Sequence, residues 1–179
     1  MTAPEFSRPV RIDTLGELPR SMEIAAEVEE RAALARRFGL LAIDRLEAGL
    51  SIARRGGEVL LHGTLQAGVV QACVASGAPV PASLTAPFDV LFRPQPASGR
   101  ADEEVELGES EMDVVFYDKP EIDVGEAVAE SLSLALDPWP RSPEADSILR
   151  EAGVKPEGEE ERGPFAALAG LKDKLKSAD

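Results

Sequence analysis

The chain has 179 residues, 44% of them apolar, which is enough for one real core and a tail but not for two full domains. A single cysteine, Cys73, excludes an internal disulfide, and a single histidine, His62, excludes most metal and triad arrangements. Residues 101–179 hold twenty-two acidic and eight basic side chains and residues 1–100 balance eleven arginines against eleven acids, so all of the net charge of −14 belongs to the second part.

Residues 6–12 predict a first strand and 21–26 a second, joined by the turn-like Thr14-Leu-Gly-Glu-Leu-Pro19. A helix is expected over 27–38, with Val28, Ala32, Ala35 and Phe38 as its inner side and Leu34 flanking. Arg31, Arg36 and Arg37 lie around its other sides, and Gly39 ends it. Leu46, Ala48, Leu50 and Ile52 alternate with Glu47, Gly49 and Ser51, the two-residue beat of a half-buried strand, which Arg54-Arg-Gly-Gly57 turns back. Over 58–72, Val59, Leu61, Gly63, Leu65, Ala67 and Val69 share one face while His62, Thr64 and Gln66 take the other, completing a long hairpin. Gly63 and Gly68 are places where such a strand bends or bulges, so the sheet is expected to curl. Leu84, Ala86, Phe88, Val90 and Phe92 form a fourth strand, and Pro87 argues that it lies at an edge. Residues 95–108, rich in Pro, Ser, Gly and acid, predict a mobile acidic loop, with a short strand returning at 112–117.

Ile122-Asp-Val-Gly-Glu126 opens the second helix: Asp123 is placed to cap its first amides, and Glu126 to reach back as the reciprocal partner. Val124, Ala127, Val128, Ser131, Leu132, Ala135 and Leu136 then fall on one apolar stripe. Pro138 ends the helix and pushes Asp137 out of helical space, and Pro138 and Pro140 hold Trp139 between them with little entropy left to lose. Large aromatics are usually mostly buried, so the expected place of Trp139 is the core, the alternative being a partner-facing anchor. The remaining residues, 142–179, form a Pro/Glu-rich tail that closes on Pro164 and a short amphipathic helix carrying Phe165, Leu168, Leu171 and Leu175. The order of elements predicts an α+β fold in one domain over 1–141. Its curved antiparallel β-sheet is partly barrel-like and covered by helices, and a flexible acidic C-terminal tail follows.

The chemistry available to these residues is limited. Ser76 stands where a second thiol would complete a zinc-binding half-site with Cys73, so no metal is expected, and Cys73 reads as a small buried thiol. His62 lies eleven residues earlier on the presumed same strand, roughly 35 Å away at about 3.3 Å per residue, too far to activate it. The carboxylates sit in stretches too polar for the pKa shifts of acid-base catalysis, and Arg54-Arg-Gly-Gly57 has neither a Walker pattern nor a Rossmann spacing. No catalytic residue and no cofactor are expected. Arg31, Arg36 and Arg37 on the helix and Arg54 and Arg55 at the hairpin tip offer a face for a nucleic-acid backbone if they converge on one side of the sheet. The competing reading pairs Arg36 and Arg37 with Glu29, Glu30 or Glu47 at the surface.

Several of these segments, taken in order, resemble the YceD-type large ribosomal RNA subunit accumulation proteins, and most of all the alphaproteobacterial branch. They are Phe6-Ser-Arg-Pro-Val10, Glu30-Arg-Ala-Ala-Leu-Ala35, the Gln71-Ala-Cys73 turn with Pro79, Ile122-Asp-Val-Gly-Glu126 with Leu134-Ala-Leu-Asp-Pro138, and Pro164-Phe-Ala-Ala-Leu168. The resemblance implies a small, cytosolic, non-enzymatic factor needed for accumulation of 23S ribosomal RNA and for large-subunit assembly. Many relatives carry Cys-x-x-Cys where this chain has Cys73 and Ser76, so a metal role of that pair is not carried over. Residues 1–9 hold no apolar run fit for a signal peptide, and no stretch approaches the roughly 18 apolar residues of a membrane span, so a cytoplasmic protein without membrane contact is expected. Two modes of action follow. In the first, the arginine-bearing face contacts 23S rRNA or its precursor, DNA not being expected. In the second, the acidic loop and tail hold a basic large-subunit ribosomal protein, with the helix bearing Phe165, Leu168 and Leu171 as a detachable anchor.

Overall fold

The computed structural model describes residues 4–95 and 113–154. Most of the loop expected at 95–108, and the terminal helix with Phe165, Leu168 and Leu171, lie outside the described residues. In chain order the elements are β1 (Pro9–Arg11), a 3-10 turn (Ile12–Thr14), β2 (Arg20–Ala25), α1 (Val28–Phe38), β3 (Ala42–Arg55), β4 (Glu58–Ala72), β5 (Pro79–Pro94), β6 (Asp113–Tyr117), β7 (Glu121–Asp123), α2 (Val124–Ala135) and α3 (Ala145–Glu151).

β2, β3, β4, β5 and β6 form one sheet in that order, and β1 and β7 form a separate antiparallel ribbon. The long hairpin is the frame: β3 and β4 pair from Ala42↔Val70 to Arg55↔Glu58, and Gly56, at φ +61°, supplies the left-handed turn residue. On β4 the expected inward residues Val59, Leu61, Leu65, Ala67 and Val69 are all buried, because alternation puts the apolar set on one face. Gly63 belongs to that face for a steric reason. A Cβ there would stand 2.6 Å from the Phe88 ring, so the missing side chain makes room for the aromatic and no bulge occurs. The bulge lies opposite Gly68, where the register of β3 slips between Ile43 and Arg45.

The sheet does not close into the partial barrel that was expected. Its first-strand candidate is drawn off to pair with β7, leaving β2 and β6 as open edges. Nor is it purely antiparallel, since β6 runs parallel to β5 over Val90 to Pro94. The chain between these two strands is long enough for the crossover a parallel pair needs. Pro87 does sit on an edge. β5 pairs with β4 along its whole length but with β6 only over its last residues, so Pro79, Pro81 and Pro87 interrupt a stretch with an open side and blunt it against further pairing.

α1 packs on β3, and α2 on β4, β5 and β1. The buried side of α1 is Leu34 and Ala35, with Phe38 partly covered; Val28 is 66% exposed and Ala32 also faces solvent, so the helix is rotated from the expected stripe. The Glu30 carboxylate accepts the Glu27 amide at 2.8 Å, and Gly39 at φ +67° ends α1 as expected. In α2, Val124, Ala127, Val128 and Leu132 are buried on the anticipated face, together with Ala129.

Candidate functional site

Two segments far apart in sequence meet at one end of the sheet. The first is the turn after β4, closed by Gly77 N–H to Cys73 C=O and Cys73 N–H to Ala78 C=O, each 2.8 Å, with Gly77 at φ +72° and Pro79 starting β5. The second is the chain leaving α2, Asp137 to Ser142, in which Pro138 and Pro140 bar any helical continuation. Gln71 Nε2 donates to the Asp137 carbonyl at 2.8 Å, Val74 N–H to the Pro140 carbonyl at 2.9 Å, and Ser142 N–H to Cys73 Sγ at 3.3 Å. The residues Gln71, Cys73, Pro79, Asp137, Pro138 and Pro140, read from the sequence as separate motifs, are therefore one structural unit. Val74 and Ser142 completed it without any sequence signal, because contacts spanning more than sixty residues leave no local pattern.

Trp139 overturns the expectation of a core plug. The hook is pinned on both sides, its Trp139 N–H donates to Asp137 Oδ1 at 2.9 Å, and the indole is 72% exposed. Pinning the backbone through Asp137 and Pro140 turns the intervening side chain outward. Val74, bonded to the hook, is 54% exposed beside it. Past Arg141, where a tail was expected, Ser142 and Ala145 are buried and α3 begins, its start tied down by Arg141 Nη2 to Asp146 at 2.6 Å.

Cys73 is buried as expected. Hydrogen bonds from the Ser76 hydroxyl and then the Ser142 amide pull its thiol down to about 6, against the upward push of burial. His62 lies toward the other end of β4 and pairs with Asp89 across the strands, so no Cys-His dyad exists. Among the described residues no three His, Cys, Asp or Glu side chains gather as a metal site.

Asp123 and Glu126 act structurally. Asp123 Oδ1 accepts from Gly125 N–H at 3.0 Å, Glu126 N–H at 3.1 Å and Arg8 N–H at 2.7 Å, while Oδ2 takes the Ser7 hydroxyl at 2.5 Å. Glu126 does not reach back as a reciprocal cap; Arg37 claims it with two bonds of 2.6 and 3.0 Å and adds a third to Glu5 at 3.1 Å. The bidentate pair holds the Arg37 guanidinium charged and raises its pKa.

The helix arginines and the tip arginines do not gather at one place. α1 is joined to the start of β3 by three residues, whereas Arg54 and Arg55 lie at its other end, about 40 Å farther along the strand at about 3.3 Å per residue. At the helix, Arg37 is committed to Glu126 and Arg31 donates to the Ala26 carbonyl at 2.6 Å. Arg36 is exposed, and it does not pair with Glu29, Glu30 or Glu47: Glu30 takes Arg8 and Glu47 takes Arg45. At the tip Arg54 Nε bonds the Gly56 carbonyl. Among the described residues no carboxylate lies within 4.0 Å of Arg20, Arg36, Arg54 or Arg55.

The family model of the large ribosomal RNA subunit accumulation protein YceD matches residues 61–172, which include the Cys73 turn and the Trp139 hook and exclude α1 and the hairpin tip. The chain belongs to this family. No curated protein and no solved structure matches it. No described helix is long and apolar enough to cross a membrane.

Proposed function

We propose that this chain supports accumulation of large-subunit ribosomal RNA as a non-catalytic, cytoplasmic assembly factor that holds a basic ribosomal protein. The exposure of Trp139 on a pinned hook carries the reading. An aromatic side chain presented on rigid backbone loses little freedom when it is covered, and such side chains dominate protein interfaces. Charge selects the partner. The described residues carry twenty-one acidic and thirteen basic side chains, and Arg8, Arg11, Arg37, Arg45, Arg93 and Arg141 are already paired with carboxylates. An RNA backbone meets net repulsion from such a surface, whereas a lysine- or arginine-rich protein is steered to it.

Trp139→Ala should leave the melting temperature nearly unchanged and weaken capture of a basic large-subunit protein by about 2 kcal/mol or more. Capture from a ribosomal-protein mixture, measured over a salt series, checks this; undiminished capture by the variant contradicts the reading.

A second reading, direct contact with 23S rRNA or its precursor, is favoured by the hairpin tip, where Arg54 and Arg55 together with Arg20 have no carboxylate partner among the described residues. It requires that Arg54→Glu with Arg55→Glu abolish RNA binding. The primary reading expects this pair of changes to leave protein capture intact.

A further inference from the structure

A cleft of about 350 Å³ opens between α1, α2 and β6, away from the arginines of the hairpin tip. Its walls are apolar: Phe38 from α1, Val90 from β5, Val115 from β6 and Leu134 from α2, the last 76% exposed. Three ionisable side chains, Arg37, Asp113 and Glu130, line it as well. The cation is already satisfied, since Glu126 and Glu5 hold the Arg37 guanidinium. The two carboxylates are not: among the described residues no cationic group lies within 4.0 Å of Asp113 or Glu130.

We infer that this cleft receives a lysine or arginine side chain of a basic polypeptide, its aliphatic stem against Phe38, Val115 and Leu134 and its charged head between Asp113 and Glu130. The inference rests on the reading of a basic ribosomal partner and gives that partner a second point of contact, distinct from Trp139. The chemistry fits that one class of side chain. A long cationic side chain lays methylenes on apolar surface and keeps its head at a polar rim, which matches a cleft with greasy walls and acids at the edge. A phosphate or an acidic peptide would add charge of the sign already in excess. Glu126 and Glu130 are also i and i+4 on one helix, a repulsive like-charge spacing that an incoming cation relieves. Consistently, partial burial and then the charge of Glu126 push the Glu130 carboxyl above its ordinary range, with Arg37 pulling the other way and Asp113 adding to the push.

The test titrates the full chain with a short peptide of alternating arginine and alanine, and with its counterpart carrying uncharged citrulline for arginine. Methyl resonances of Val115, Ala127 and Leu134 report the cleft, and the indole N–H of Trp139 reports the hook. The arginine peptide should shift the cleft methyls and the citrulline peptide should not. Glu130→Gln combined with Asp113→Asn should weaken binding about tenfold or more without lowering the melting temperature. Ser133→Trp, which fills the cleft from an exposed position of α2, should abolish the methyl shifts. Binding that moves only the Trp139 indole and ignores all three changes overturns the cleft while leaving the basic-partner reading standing. Indifference to the peptide together with binding of a single-stranded rRNA fragment overturns both.

Discussion

Asp123 serves two neighbours at once: it caps α2 and clamps the Ser7 hydroxyl and the Arg8 amide onto the helix start. Capping alone contributes about 1 kcal/mol, and the second clamp adds to it, so Asp123→Ala should cost more than an isolated cap. Gly125 lies beneath the same N-terminal segment, where an added Cβ would come within 2.2 Å of the Phe6 carbonyl oxygen. Gly125→Ala therefore forces backbone apart and should destabilise by about 1–3 kcal/mol or more in chemical denaturation. The Arg8–Glu30 pair sets a pH dependence. The hydrogen bond from Arg8 holds the Glu30 carboxyl below its usual range, so its contribution is present above the ordinary carboxylate titration and disappears as pH falls through the depressed value. Glu30→Gln should lower the melting temperature at neutral pH, and the gap between variant and parent should close on acidification; a gap independent of pH would contradict this assignment. The cap was legible because it depends on neighbours three residues away. The partner of Glu126 was not, because Arg37 lies 89 residues off and competes for the same carboxylate.

Elements with strong alternation were legible to the residue: β4 has the bounds that its apolar pattern predicts, and β3 extends the expected strand at both ends. The apolar stripe of α2 was equally readable, with Leu132 fully enclosed at its centre. Leu132→Ala should cost about 2–5 kcal/mol, and an unchanged denaturation midpoint would place α2 outside the core. The face of α1 was misread because several alanines leave its pattern ambiguous. Leu34, the largest apolar side chain of that stretch to be fully buried, turns the helix toward itself and leaves Val28 in solvent. Partner choice between strands was also invisible. Nothing local in Phe6 to Ile12 says that its residues pair with Glu121 to Asp123, and that choice is what keeps the main sheet open. The hook shows the opposite failure. Pro138 and Pro140 announced its rigidity, but average burial of tryptophan pointed inward, whereas the bonds from Gln71 and Val74 fix the backbone so that the ring points out.

At the scale of the molecule, half of the described guanidinium groups are matched by carboxylates within the fold. Among the described residues six arginines brace one element against another or pair locally at the surface; of the others, Arg31 and Arg36 lie toward one end of β3, Arg20, Arg54 and Arg55 toward the other, and Arg150 on α3. Within the stretch matched by the family the Trp139 side chain faces outward, and between α1, α2 and β6 lies an acid-rimmed apolar cleft. This division is what the proposed role, holding a cationic polypeptide in the service of ribosomal RNA accumulation, rests on. The most direct measurement places a photoreactive amino acid at position 139, irradiates growing cells, and identifies both the RNA and the protein joined to it. A lysine- and arginine-rich protein of the large subunit is the expected main adduct. Ribosomal RNA recovered at that position, with no such protein, would contradict the proposed role.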